Sequence, residues 1–314
     1  MENIHLILAK TLGEPLDSEL QVPAFLADIC DLELANYGDD QYTFQTYDDS
    51  NSIVYTAGID GEVVSARKTL AGATVLPLVG IQSKLHYISL ESLQYITSSV
   101  VNKDLTAMAR LKKSITRSMD NYEAKLVLDL INNLSGQAVN LATGDDVYSG
   151  IMAMYHKVMD YGNNFVLLCG STVYEAINTY DRDHVQSFNF RLGIREMCKD
   201  LGIEIIKVTG NAGLDTTSAI APCLLVTKAI LVAKDSTISN SKPIMFIRRK
   251  VSPEVAKAMG LNVEGQRIIT SVGGLQCIGT GNVLGYGVVG YESFGCAVVN
   301  AKAIAICNEL TNPA

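Results

Sequence analysis

Charge is scarce in this sequence. Lys, Arg, Asp and Glu make up 18% of the 314 residues, against about 25% in ordinary soluble domains. Hydrophobic residues reach 48%. Such a chain either builds an unusually large core or buries much of its surface against partners. Long apolar runs are missing too. Ala219 to Ala233 is broken by Lys228, and nothing reaches the roughly 18 apolar residues that a membrane span needs. The uncharged window Ile268 to Tyr291 holds seven glycines plus Gln276 and Asn282, so it reads as strands and turns. Extensive contacts between copies are expected instead of membrane insertion.

Paired cysteine motifs are absent. Cys30, Cys169, Cys198, Cys223, Cys277, Cys296 and Cys307 form no CxxC and lie near no histidine at metal-ligand spacing. Most sit in apolar runs such as FVLLCG, so they read as reduced, core-filling side chains of an intracellular protein. MENIHLILAK lacks the basic region, apolar core and cleavage site of an export signal. His5, His86, His156 and His184 are scattered, with no nucleophile or carboxylate at a telling spacing. There is no GxSxG, HExxH or phosphate loop. The sequence therefore assigns no catalytic, cofactor-binding or metal-ligating residue, and no cofactor. The net charge of −8 argues against tight general nucleic-acid binding, which requires Lys and Arg to neutralise phosphates.

One motif is a decoy. Gly285-Tyr286-Gly287-Val288-Val289-Gly290 matches GxGxxG. A dinucleotide site needs a helix directly after it and an acid about 20 residues on. Tyr291-Glu292-Ser293-Phe294-Gly295 is no helix start. The acidic pairs Asp39-Asp40, Asp48-Asp49 and Asp145-Asp146 lack calcium-loop spacing and read as turn and cap residues.

The dominant feature is the stretch Asn102 to Leu134. Leu105, Met108, Leu111, Ile115, Met119, Tyr122, Leu126, Leu130 and Leu134 recur in steps of three and four, the period of one helix face. No Gly or Pro interrupts it, and Ser135-Gly136 ends it. Such a helix is roughly 45–50 Å long, a strut across more than one small domain. Lys103, Arg110, Lys112, Lys113, Arg117 and Lys125 form its solvated face.

Before the strut, Tyr42 to Ser83 has β texture around a turn at Asp60-Gly61. A two-stranded hairpin this long is marginal alone. It must lie on this chain's core or on a neighbouring copy. Ser89–Ser99 predicts a short helix. After the strut come a helix near Val147–Asp160, a strand at Phe165–Cys169 and a helix opened by the capping box Thr172-x-x-Glu175. A helix Ile194–Leu201, a strand Ile203–Val208 and an apolar strand or pair in Cys223–Ala233 complete an α/β region. A strand Pro243–Arg249, a short helix capped by Ser252 and ended by Gly260, glycine-punctuated strands from Arg267 to Gly290, and a closing stretch Phe294–Leu310 follow.

Four stretches carry a family resemblance: HYISLESLQYITSSVVNKDLTAMARLKKSITRSMDNYEAKLVLDLI (86–131), NNFVLLCGSTVYEAINTYDRD (163–183), SKPIMFIRRKV (241–251) and YESFGCAVVNAKAIAI (291–306). With the order of elements, they resemble the major capsid proteins of tailed bacteriophages, the Hong Kong 97-like fold. The resemblance spans residues 42–310 and rests on architecture rather than on one motif. It implies an α+β chain with an N-terminal arm (1–41), an extended β-hairpin loop (42–86), a peripheral domain with the spine helix (87–144), an inserted α/β axial domain (145–240) and a β-rich return to the peripheral domain (241–314).

By that resemblance the protein is a non-enzymatic major capsid protein, located in the virion capsid and assembled in the host cytoplasm. It forms hexamers and pentamers of an icosahedral head. Its partners are itself, a separate scaffolding protein, a portal, a decoration protein and packaged double-stranded DNA held without tight binding. Ile53, Tyr55, Val63, Lys68 and Val75 are expected at subunit contacts of the loop. Leu105, Met108, Ile115, Met119, Tyr122 and Leu126 are expected on the spine. The 41 residues before the hairpin leave little room for a fused scaffolding segment. Some members cross-link subunits through Lys and Asn; Lys68, Asn282 and the acid Glu292 are the nearest counterparts, and a solvated lysine is the preferred reading of Lys68. An encapsulin-like compartment is the second reading. A nicotinamide-dependent oxidoreductase, resting on residues 285–290 alone, is the third.

Overall fold

The computed structural model describes residues 24–36, 38–47, 70–82, 86–89, 106–134, 137–141, 146–185, 193–208, 228–235, 242–251, 254, 267–276 and 283–310. In chain order the elements are α1 (Ala24–Ile29), β1 (Cys30–Ala35), β2 (Gln41–Tyr47), β3 (Leu70–Pro77), β4 (Val79–Gln82), β5 (His86–Ser89) and α2 (Thr106–Asn132). Then follow β6 (Ala138–Val139), α3 (Val147–Val158), β7 (Phe165–Cys169), α4 (Ser171–Val185), α5 (Ile194–Asp200), β8 (Ile203–Lys207) and β9 (Ala229–Ala233). The chain closes with β10 (Ile244–Arg249), β11 (Arg267–Gln276), β12 (Val283–Val298) and β13 (Ile304–Cys307).

The strut is one continuous helix. Over the 27 residues of α2 the rise of 1.5 Å per residue gives about 40 Å. Residues 102–105 of the expected stretch lie outside the described residues. So do the turn at Asp60-Gly61, the helix expected after Ser252 apart from the helical Glu254, and Cys223–Thr227. Ser89, expected to open a short helix, instead ends β5, where it stands opposite Gly285 of β12.

Two sheets enclose the strut. The six-stranded sheet runs β1-β10-β12-β11, with β4 and β5 also paired to β12. The five-stranded sheet runs β6-β13-β9-β7-β8. The C-terminal half of α2 buries Ala124, Val127, Leu128 and Ile131 between them. Those residues meet Phe246 and Phe294 of the first sheet and Val166, Leu168, Ile230, Val232, Ile304 and Ile306 of the second. The opposite face of the five-stranded sheet buries Ile151, Met154 and Val158 of α3, Val173 and Ile177 of α4, and Ile194 and Met197 of α5. All five residues of β7 and of β9 are buried, which is why both read as unbroken apolar runs.

Three local expectations change. β13, placed by the sequence in the β-rich return, pairs with β9 and β6 and so completes the α/β sheet; a strand is assigned by its hydrogen-bonding partners rather than by its chain position. Thr172-x-x-Glu175 does not cap α4. The helix begins at Ser171, and the Gly170 carbonyl accepts the Tyr174 N–H at 3.0 Å, leaving Thr172 inside the first turn. On α2 the buried stripe turns after Met119: Glu123, Ala124, Val127, Leu128 and Ile131 face inward, while Tyr122, Leu126 and Leu130 are half-buried. A carboxylate and an alanine take inward places that the apolar period had given to Tyr122 and Leu126.

Candidate assembly surfaces and the charged joint

The base of the hairpin is built on the far face of the six-stranded sheet. β2 and β3 pair antiparallel from Gln41↔Pro77 to Tyr47↔Leu70. Leu76 of β3 packs with Ala35, Met245 and Ile247, and Tyr42 and Leu78 rest against that cluster. Tyr42 Oη donates to Glu33 Oε2 of β1; that bond, with partial burial, holds the phenol up at about 12. Leu78 N donates to the Asp40 carbonyl at 2.9 Å. Arg249 Nη1 reaches the Asp39 carbonyl at 3.2 Å and Asp40 Oδ1 at 3.1 Å. The approach loop turns at Gly38, whose φ of 94° favours glycine, and Asp39 accepts from Asn36 N at 3.2 Å. Asp146 likewise acts as a cap, accepting from Ser149 N at 2.8 Å at the start of α3.

Against this anchored base, Val75 points outward and is 52% exposed. Val79 beside it is 58% exposed. Among the described residues, Val75 is the large apolar side chain that the hairpin base leaves to solvent, and Val79 opens the neighbouring β4. Ile53, Tyr55, Val63 and Lys68 lie outside the described residues, as does Asn282. On the spine, Ile115 and Met119 are buried against β12, and Tyr122 and Leu126 are half-buried. Leu105 and the side chain of Met108 are outside the described set. Lys113 and Arg117 are exposed, and Lys125 pairs with Asp129 at 3.4 Å.

Beneath the hairpin, on the helix side of the same sheet, lies a feature that apolar periodicity did not signal. Asp120 and Glu123 are three residues apart on α2 and so share a face. Arg248 of β10 donates through Nε to Glu123 Oε1 at 2.7 Å and through Nη2 to Oε2. Arg267 of β11 donates through Nη2 to Glu123 Oε2 at 2.8 Å, through Nη1 to Asp120 Oδ1 at 2.5 Å, and through Nε to Glu292 Oε2 of β12. The side chains of Glu123 and Glu292 are fully buried, Arg248 and Arg267 nearly so, and Asp120 is 26% exposed. The Arg248 guanidinium also lies 5.6 Å from the Phe246 ring centroid. One helix is thereby tied to three strands.

Burial shapes these groups first. It pushes the Glu292 carboxyl up to about 7, with Glu123 adding to the rise and Arg267 and Arg248 opposing it. It also raises Asp120, against the pull of Arg267. Burial works against the Arg267 charge, but Glu123, Glu292 and Asp120 together hold its guanidinium protonated. Every carboxylate here is engaged by arginine, and among the described residues no cluster of His, Cys, Asp and Glu suits a metal. Glu292 is thus a structural partner of Arg267. The sequence did not signal the cluster: Glu123 stands between Asp120 and Lys125, and Arg248 opens the basic run Arg248-Arg249-Lys250.

The GxGxxG run lies in the first half of β12, which continues without a break to Val298. Gly290 is where this strand meets α2: a β-carbon there would stand 2.6 Å from Met119 Sδ and 3.0 Å from Ile115 Cγ2. The motif is a close approach of strand to helix, with no helix following to receive a phosphate. Cys30, Cys169, Cys198, Cys296 and Cys307 are free thiols. Burial raises them all, Cys169 and Cys198 to about 12 and Cys296 to about 11. Among the described residues no helix is long and apolar enough to cross a membrane.

No protein-family model matches the chain, and no curated protein is similar to it. Solved structures are. One from Gordonia phage Cozz aligns at TM-score 0.51 with 14% identity, covering 93% of this chain and 89% of that one. The holo-SrpI encapsulin complex from Synechococcus elongatus PCC 7942 aligns at TM-score 0.50 with 13% identity, again covering 93% and 89%. With the spine helix held between two sheets and a hairpin docked on the outer face, the chain is an α+β protein of the Hong Kong 97-like fold.

Proposed function

We propose that this chain is the major shell protein of a tailed-phage head, forming hexamers and pentamers around double-stranded DNA. The observation that carries the reading is the docked hairpin base. β2 and β3 form a two-stranded sheet of their own, anchored on the six-stranded sheet through Leu76 and Tyr42, with Val75 turned to solvent. A hairpin rooted at its base, with Val75 turned outward, suits a loop laid across a neighbouring subunit. Ile53, Tyr55, Val63, Lys68 and Val75 are its proposed contacts. The low charged fraction suits large subunit interfaces, and a net charge of −8 suits a shell that must release its DNA.

In this reading residues 1–41 are the arm, 42–86 the extended loop, 87–144 and 241–314 the peripheral domain, and 145–240 the axial domain joined by β13. The protein acts in the virion after assembly in the host cytoplasm, with separate scaffolding, portal and decoration proteins as partners and no catalytic role. A cellular compartment shell is the second reading, favoured by the likeness to an encapsulin at nearly the same score. Negative-stain microscopy of the purified protein, followed by nuclease-protection and cargo mass spectrometry on the particles, tests both. Closed shells that co-purify with protected DNA from infected cells support the phage head. Shells holding a discrete protein cargo support the compartment. A strictly monomeric mass at all concentrations, with scaffolding protein supplied, overturns both.

A further inference from the structure

The charged joint carries more carboxylates than guanidiniums. Asp120, Glu123 and Glu292 face Arg248 and Arg267, so these five groups sum to one negative charge when all are ionised. Burying an unneutralised charge is costly, and a buried acid ordinarily takes a proton instead. Geometry singles out where that proton sits. Glu292 Oε2 accepts from Arg267, but Oε1 is buried with no hydrogen-bond partner. An ionised carboxylate wants all its lone pairs satisfied, and the neutral acid loses least there.

Among the described residues, Arg267 and Arg248 are the cations that act on Glu292. Arg267 comes from β11, Arg248 from β10, and Asp120 and Glu123 from α2. On β4 the residue in register is Ile81. Along β12 the neighbouring titratable side chain on the same face is Cys296, which burial and Glu123 keep protonated. Arg117, one turn back on α2, is exposed.

We propose that the Asp120–Glu123–Glu292 triad, clamped by Arg248 and Arg267, is a proton-linked joint that holds one proton on the acid side of neutrality, gripping the spine helix to the sheet, and loosens when that proton leaves. The site is internal to the subunit, so the inference stands independently of the shell reading. The elevated Glu292 carboxyl supports it and sets the window. A carboxyl raised from 4.5 to about 7 on folding binds its proton more tightly in the folded state. Its contribution to stability is complete below about 4.5 and is lost as pH rises through about 7.

The test compares the full-length chain with Glu292→Gln, which fixes the neutral form. Melting temperatures are measured at pH 5.5 and pH 8. The unaltered chain is expected to lose about 3–5 °C more than the variant over that interval. Equal losses overturn the proposal. A direct readout needs no variant: infrared difference spectra of the unaltered chain between pH 6 and pH 8.5 should show a buried protonated-carboxyl band that disappears at the higher pH. Absence of that band overturns the proposal even if Glu292→Gln fails to fold. Where the variant folds, the band should be missing from it, and a band that persists unchanged also overturns the assignment.

Discussion

Gly290 of β12 and Met119 of the spine helix approach so closely that a β-carbon on Gly290 would stand 2.6 Å from the Met119 sulfur. Gly290→Ala should therefore force the helix or the Met119 rotamer to move, at about 1–3 kcal/mol, the usual cost of overpacking a filled core. Denaturant melts check it. Combining it with Met119→Ala, which opens space, should recover part of that loss in a double-mutant cycle.

Breaking the joint at an arginine should cost far more than breaking a surface pair. Arg248→Ala leaves Glu123 buried with its main partner gone, and removal of one member of such a pair costs about 3–5 kcal/mol. The next residue is the control. Arg249 pairs with Asp40, whose side chain is 93% exposed, so Arg249→Ala should stay within about 0.5–1 kcal/mol. Comparable losses from the two substitutions would contradict the burial of the joint.

Ser118 sits mid-way along α2, half-buried beside Met119. Ser118→Pro removes a backbone hydrogen bond and clashes with the preceding turn, at about 3 kcal/mol or more. The resulting kink also displaces Asp120 and Glu123 from their arginines. Ser118→Ala should be nearly neutral. Insoluble or unassembled protein is expected from the first and normal behaviour from the second, read by solubility, circular dichroism and microscopy.

Replacing residues 48–69 by an Asn-Gly turn joins β2 to β3 by the shortest favoured hairpin connection. The packing of Leu76 and Tyr42 remains. The shortened chain should keep its circular dichroism spectrum and lose stable particles. Intact shells from it would place the subunit contacts elsewhere.

Buried thiols raised to about 12 at Cys169 and Cys198 hold almost no thiolate at pH 8, and thiolate is the reactive form. Brief alkylation of native protein at pH 8 should leave Cys30, Cys169, Cys198 and Cys307 unlabelled, and all four should label in denaturant. Peptide mapping reads the outcome. Reducing agent should leave the melting temperature unchanged.

How much of this was legible beforehand divides along physical lines. β7 was placed residue for residue because a strand buried on both faces shows as an unbroken apolar run. α3 showed through its 3.6-residue period and the Gly162 beyond it, and α5 through its stop at Gly202. The continuity of α2 followed from its period and from the absence of Gly and Pro, both local properties. The rejection of GxGxxG as a nucleotide loop also needed only the residues after it.

What the strut touches was a different matter. Glu123 and Arg248 are 125 residues apart, and nothing local marks either as paired: Glu123 stands between Asp120 and Lys125, and Arg248 opens a basic run. The same holds for β13, whose four buried residues suit any sheet until β9 and β6 are brought to it, and for Gly290, whose need to lack a side chain exists only because Met119 arrives opposite. Period, caps and apolar runs act within a few residues, so the sequence by itself determined the elements and their order. Pairing, burial and the choice of which helix face turns inward depend on contacts between distant segments, and these only the tertiary structure decided.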